Sequence, residues 1–227
     1  MDRELQLKIL KALSDVLSES FITKEIDEYD FVHWAWDMNS EIKLKIGESE
    51  RYFYICYGAT KGVFVPMEPE FFPYVIKIPF LDKGEFDYCK KETVIYQEAQ
   101  KCEDLLKDFF APSGVVGRIG SLPVYWMEYF SITEECNDDS AIKIFMESYG
   151  RNREEDDNDE IIEEFYSSVA SDSQGVFEFL LNQNYSEESI KIIEDFLWKH
   201  DINDLHTNNF YYDEDSCGIV LVDYSGY

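Results

Sequence analysis

Apolar residues recur at Leu5, Ile9, Leu10, Leu13, Val16 and Leu17, a spacing that follows the helical period of about 3.6 residues and predicts an amphipathic helix over residues 5–17, packed on the body of the protein. The period then shortens. Residues 51–57 are mostly aromatic and β-branched, Gly58-Ala59-Thr60-Lys61-Gly62 interrupts, and Val63-Phe64-Val65 resumes, which predicts a hairpin with a glycine-bearing turn. Tyr74-Val75-Ile76-Lys77-Ile78, bracketed by Pro73 and Pro79, predicts another strand. Lys77 stands inside its apolar run, where a lysine belongs only if its ammonium has a partner. Residues 88–106 predict a helix with Glu92, Tyr96 and Ala99 on one face, and Val124-Tyr125-Trp126-Met127-Glu128-Tyr129-Phe130 predicts a buried strand.

The block Glu154-Glu155-Asp156-Asp157-Asn158-Asp159-Glu160 repels itself in a compact setting and predicts an exposed loop or linker. Beyond it, residues 161–181 and 186–199 predict two helices, the second opened by the start signal Ser186-Glu187-Glu188. Two short strands follow. The expected organisation is an N-terminal helix with a strand-rich lobe over residues 1–130, a hinge and acidic linker over 131–160, and a helix-rich remainder over 161–227.

Composition narrows the functions. A hydrophobic content of 45%, with 17 Phe and 16 Tyr among 227 residues, is enough for a sizeable core. Against 20 basic residues stand 48 acidic ones, a formal net charge of −28 that would repel nucleic acid and anionic membrane and attract basic proteins. No apolar run is long enough to span a bilayer and no signal-peptide order opens the chain, so a cytoplasmic location is expected. The five cysteines, Cys56, Cys89, Cys102, Cys136 and Cys217, are odd in number and lack metal-ligand spacing, which predicts buried free thiols.

The chemistry concentrates near the carboxyl end. Asp204-Leu205-His206-Thr207-Asn208-Asn209 is followed by Val220-Leu221-Val222-Asp223-Tyr224-Ser225. Two strands joined by a short turn can hold Asp204, Asn209 and Asp223 around one small volume. Phosphoryl transfer needs that arrangement, because its catalysis is mostly positioning and charge neutralisation.

In order and approximate spacing, these elements make the chain resemble the protein-kinase-like family, in a short form similar to the minimal kinases encoded by bacteriophages. The segment Ile202-Asn203-Asp204-Leu205-His206-Thr207-Asn208-Asn209 is similar to the catalytic loop H-R-D-x-x-x-x-N, and Asp223-Tyr224-Ser225 to D-F-G. Tyr74-Val75-Ile76-Lys77 resembles V-A-I-K, Gly58 and Gly62 fall where a phosphate-covering loop stands, and Trp126-Met127-Glu128-Tyr129-Phe130 resembles the strand that meets adenine.

The resemblance implies an α+β, two-lobed fold and the cofactors ATP and Mg²⁺. Lys77 would contact the nucleotide phosphates, paired with Glu92 or, alternatively, Glu98. Asn209 and Asp223 would hold the metal, and Asp204 would accept the proton of an attacking hydroxyl. Gly58 and Gly62 would admit the phosphates, the main chain of Glu128 and Phe130 would bond adenine, and Met127 would line the pocket behind it. Ile202-Asn203 replaces H-R, Tyr224-Ser225 replaces F-G, and the glycine pattern is incomplete. Because the sequence ends at Tyr227, a reduced C-lobe lacking the activation segment and later helices is expected.

Three functions follow as expectations. The first is a minimal Ser/Thr protein-kinase-like phosphotransferase acting on a host protein or on itself. The second is a non-catalytic, acidic kinase-like protein, a nucleic-acid mimic or inhibitor that sequesters a basic host protein. The third is a small-molecule kinase of the aminoglycoside or choline type.

Overall fold

The computed structural model describes residues 1–17, 29, 31, 33–34, 41–46, 49–57, 60–80, 86–130, 174–205, 209–213 and 218–225. It is a mixed α+β chain of two compact units. One comprises Met1–Glu98 and Ala111–Tyr129, the other Ala99–Phe110 and Phe130–Tyr227. No described helix is long and apolar enough to cross a membrane.

The first unit opens with α1 (Arg3–Val16), started by Asp2, whose Oδ1 accepts from the Leu5 amide at 2.8 Å and so satisfies one of the amides a helix start leaves unbonded. Six antiparallel strands follow: β1 (Glu41–Ile46), β2 (Ser49–Tyr57), β3 (Lys61–Pro66), β4 (Tyr74–Pro79), β5 (Ser113–Ile119) and β6 (Leu122–Glu128), in sheet order β1-β2-β3-β4-β6-β5. The predicted hairpin is β2–β3, in register Tyr57↔Gly62. Strands β1 and β5 were not among the predicted elements. Strand β6 starts earlier than its predicted bounds and stops at Glu128, where the Tyr129 amide turns to the Pro73 carbonyl at 3.0 Å.

Alternation along the strands gives this sheet two different faces. Phe64, Ile76, Ile78 and Val124 point to one, where α1 delivers Ile9, Ala12 and Leu13 and where Phe31, Phe53 and Phe72 complete an aromatic core. Gly117, with φ +155° at the bulge in β5, lets Leu10 approach where a Cβ would collide with it. The residues between, Lys61, Lys77, Tyr125 and Met127, fall on the opposite face.

Helix α2 (Tyr88–Ala99) supplies the residues that meet that second face. The sequence predicts one helix over 88–106, but α2 stops at Ala99 and a separate short helix α3 spans Asp104–Asp108. Two local features break it. The Cys102 amide closes a tight turn on the Ala99 carbonyl at 2.9 Å, and Glu103 is extended at φ −62°, ψ 156°. The reason is packing: Leu106, Phe109 and Phe110 are buried as part of the second unit, and α3 is the element that carries Leu106 there. That turn also leaves Cys102 exposed, correcting the expectation that the thiols are buried; Cys89 is buried as expected.

In the second unit, α4 (Gln174–Asn184) and α5 (Glu187–Lys199) precede the ribbon β7 (Phe210–Asp213) and β8 (Gly218–Leu221). Of the predicted helix over 161–181, only the part from residue 174 is described, and the hinge, the acidic block and residues 161–173 lie outside the described residues. Ser186 caps α5 as predicted, its Oγ accepting from the Ser189 amide at 3.2 Å. The rings of Phe109, Phe177 and Phe210 pack in sequence at 5.5–6.3 Å, and Phe110 meets Phe196 and Tyr224 at 5.1–5.2 Å.

Candidate functional site

Lys77 sits in the middle of β4 with Tyr125 of β6 beside it in register on one side and Val63 of β3 on the other. Lys61 lies two residues before Val63, so alternation puts both lysines on one face as diagonal neighbours. Glu92, on the second turn of α2, meets them there. Its Oε2 accepts from Lys77 Nζ at 3.0 Å and its Oε1 from Lys61 Nζ at 2.6 Å. All three side chains are buried, with Glu92 only 1% exposed. A buried charge is tolerated only when paired and hydrogen-bonded, and each oxygen of this carboxylate has its own ammonium.

The partner of Lys77 is therefore Glu92. Glu98, the alternative, stands six residues further, about 9 Å along the helix axis. Lys77 Nζ also donates to Met127 Sδ at 3.2 Å, and Met127 is buried on the same face. Met127 is thus a contact of the lysine itself. Cys89 lies one turn before Glu92; burial pushes its thiol well above the usual range, the Glu92 charge adds to that, and the two lysines oppose it.

The approach of α2 is fixed at its start as well. Asp87 Oδ1 accepts from the Lys90 amide at 2.9 Å, capping the helix, while its Oδ2 accepts from Tyr125 Oη at 2.6 Å. One side chain thus joins helix start to sheet. Burial, and next the bond to Asp87, hold the Tyr125 phenol protonated above its usual range.

Of the predicted phosphate glycines, Gly58 lies outside the described residues. Gly62 lies inside β3 opposite Ile78, and a Cβ there would drive into the ring of Phe31. That contact alone accounts for glycine at 62. The Glu128 amide donates to the Pro112 carbonyl at 2.7 Å. The Phe130 ring, in the second unit, packs on Tyr211 at 5.6 Å.

The carboxyl-terminal motif is assembled by the end of α5. Asp201 adopts a left-handed φ of 52°, the Asp201 amide bonds the Trp198 carbonyl at 3.2 Å, and the Ile202 amide bonds the Leu197 carbonyl at 3.0 Å. This is a Schellman end, with Ile202 and Leu197 both buried, and it turns the chain sharply into the Asp204 loop. Aspartate is one of the few side chains that accept that backbone conformation.

Asn209 then ties the loop to the strand end. Its Nδ2 donates to the Asp204 carbonyl at 2.9 Å, and its own carbonyl accepts from the Val222 amide at 2.9 Å and the Asp223 amide at 3.3 Å. Tyr224, fully buried against Phe110, and buried Ser225, whose Oγ donates to Asp223 Oδ1 at 3.3 Å, fix the main chain on the other side of Asp223. The three predicted residues of this motif are thus brought together within one unit. Among the described residues no group of three or more His, Cys, Asp and Glu is arranged to hold a metal. An amide oxygen and a carboxylate suit Mg²⁺, which keeps several waters and takes only one or two carboxylates besides phosphate.

Sequence reasoning passed over Lys61, Asp87 and Tyr125. No local signal marks Lys61, because the residue it meets, Glu92, is 31 residues away. The chain matches no protein-family model, no curated protein and no solved structure.

Proposed function

We propose that the chain is a two-lobed, kinase-like phosphotransferase that uses ATP and Mg²⁺ to phosphorylate a protein hydroxyl. The observation that carries this reading is the buried Lys77–Glu92 ion pair, formed between the two residues that the motif order singles out. A lysine anchored by a helix carboxylate presents a fixed positive charge to nucleotide phosphates. The Asn209 bridge between the Asp204 and Asp223 backbones adds to it from the second unit.

In this reading Lys77 orients the α- and β-phosphates and Glu92 keeps its ammonium in place. The Glu128 carbonyl and the Phe130 amide hold adenine. Asn209 Oδ1 and the Asp223 carboxylate would hold Mg²⁺, which would supply charge neutralisation at the phosphates. Asp204 takes the proton of the acceptor hydroxyl as its oxygen bonds the γ-phosphorus and the bond to the β-bridging oxygen breaks, releasing ADP.

Nucleotide-dependent thermal stabilisation tests this reading, because a ligand that binds the native state raises its apparent stability by mass action. A rise in melting temperature with ATP that grows on adding Mg²⁺ is expected. No shift at millimolar ATP overturns the reading and favours a second one, supported by the net charge of −28: an acidic, non-catalytic protein that sequesters a basic partner. Its acidic blocks, Glu134-Glu135, Asp138-Asp139 and residues 154–160, lie outside the described residues. A complex steered by them would associate more slowly as salt rises.

A further inference from the structure

We propose that Lys61 is a positioning residue for nucleotide phosphates, acting through Glu92 to hold Lys77 in place; this rests on the nucleotide-binding reading above. A single carboxylate opposite a single lysine can rotate about its side-chain torsions and offer either oxygen. Glu92 cannot do so freely, because Lys61 Nζ holds Oε1 at 2.6 Å, the shorter of the two contacts, while Lys77 Nζ takes Oε2 at 3.0 Å.

Lys61 comes from β3, and it is as buried as Lys77, at 4% and 5% exposure. The backbone on both sides of it is constrained. Its neighbour Gly62 is pressed against the Phe31 ring, and the Phe80 amide bonds the Thr60 carbonyl at 3.0 Å. Lys61 thus approaches Glu92 from a rigid strand and fixes the carboxylate plane. Tyr125 and Asp87 hold the start of the same helix to the sheet, so α2 is secured at two points, Asp87 and Glu92.

The role predicts a pattern that a merely structural lysine would not give. Lys61→Met removes the ammonium but keeps the length of the side chain and leaves Glu92 paired with Lys77. Its affinity for Mg-ATP is expected to fall about tenfold by titration calorimetry, the scale of one lost charge-assisted hydrogen bond. Affinity for adenosine, which carries no phosphate, is expected to stay within about twofold of wild type. Lys61→Arg keeps a charged donor and is expected to recover most of the loss.

The decisive arm is the double variant. Because Lys61 acts through Glu92, Lys61→Met in a Glu92→Gln background is expected to weaken Mg-ATP no further than Glu92→Gln alone. Full additivity there, equal losses for ATP and adenosine, or unchanged ATP affinity in Lys61→Met while Lys77→Met loses it, each overturns the role of Lys61 and leaves nucleotide binding standing. A wild-type chain that binds neither ATP nor adenosine overturns the nucleotide reading, and this role falls with it.

Discussion

Glu92 Oε2 and Lys77 Nζ meet at 3.0 Å inside the first unit, with both side chains buried. Two regularities bring them together: alternation puts Lys77 on the face of the sheet away from the aromatic core, and the helical period presents Glu92 one turn after Cys89. The lysine that looked out of place in an apolar strand is accounted for by this contact.

Glu92→Gln is expected to destabilise the protein more than either Lys61→Met or Lys77→Met. It leaves two buried ammoniums facing a neutral amide, and removing one partner of a buried ion pair costs about 3–5 kcal/mol. Each lysine variant leaves a balanced pair. Urea unfolding of the three variants checks the order, and a Glu92→Gln chain as stable as either lysine variant would count against it.

Asn209→Ala loses the 2.9 Å bond to the Asp204 carbonyl, for which about 1 kcal/mol of stability is expected; on the proposed phosphotransferase reading it also loses all Mg-dependent phosphate transfer. Asn209→Asp keeps an oxygen ligand but not the Nδ2 donor. Retained Mg²⁺ dependence of nucleotide binding with much reduced turnover is the expected result, read by calorimetry and by ³²P labelling.

On the same proposed reading, Asp204→Ala is expected to slow labelling about 10²–10⁴-fold, the usual contribution of a positioned acid or base, with Mg-ATP affinity little changed. Unchanged labelling of the chain or of a host lysate in this variant would remove Asp204 from the catalytic role.

Gly62→Ala is expected to cost about 1–3 kcal/mol, because the added methyl has to displace the buried ring of Phe31. Pairing it with Phe31→Leu should recover part of the loss. Chemical denaturation of the single and double variants checks both expectations.

The thiols of Cys89 and Cys102 should differ sharply toward a water-soluble reagent. Cys102, exposed in the turn after α2, is expected to react in the native state, and Cys89 only on unfolding. Cys89 also gives a pH signature. Its folded value is raised, so both states are protonated below about pH 8.5 and its contribution to stability is complete there. Above that pH the unfolded thiol ionises first, and stability falls. Cys89→Ala should remove this part of the alkaline slope, measured by urea midpoints at neutral and alkaline pH.

The sequence by itself determined what depends on near neighbours. The first helix, the β2–β3 hairpin, β4, and the Ser186 cap of α5 follow from periodicity and from side chains that bond amides three residues away. The grouping of Asp204, Asn209 and Asp223 was legible for the same reason: a loop, two short strands and a turn leave few ways to arrange them. Tertiary structure decided the rest, because those features depend on residues far apart in the chain. The division of residues 88–106 into two helices is set by where Leu106, Phe109 and Phe110 are buried. The glycine at 62 is set by Phe31, and the start of α2 by Tyr125. Lys61 carries no local mark of its role, because its partner Glu92 is 31 residues away and reaches it only once β3 and α2 have packed.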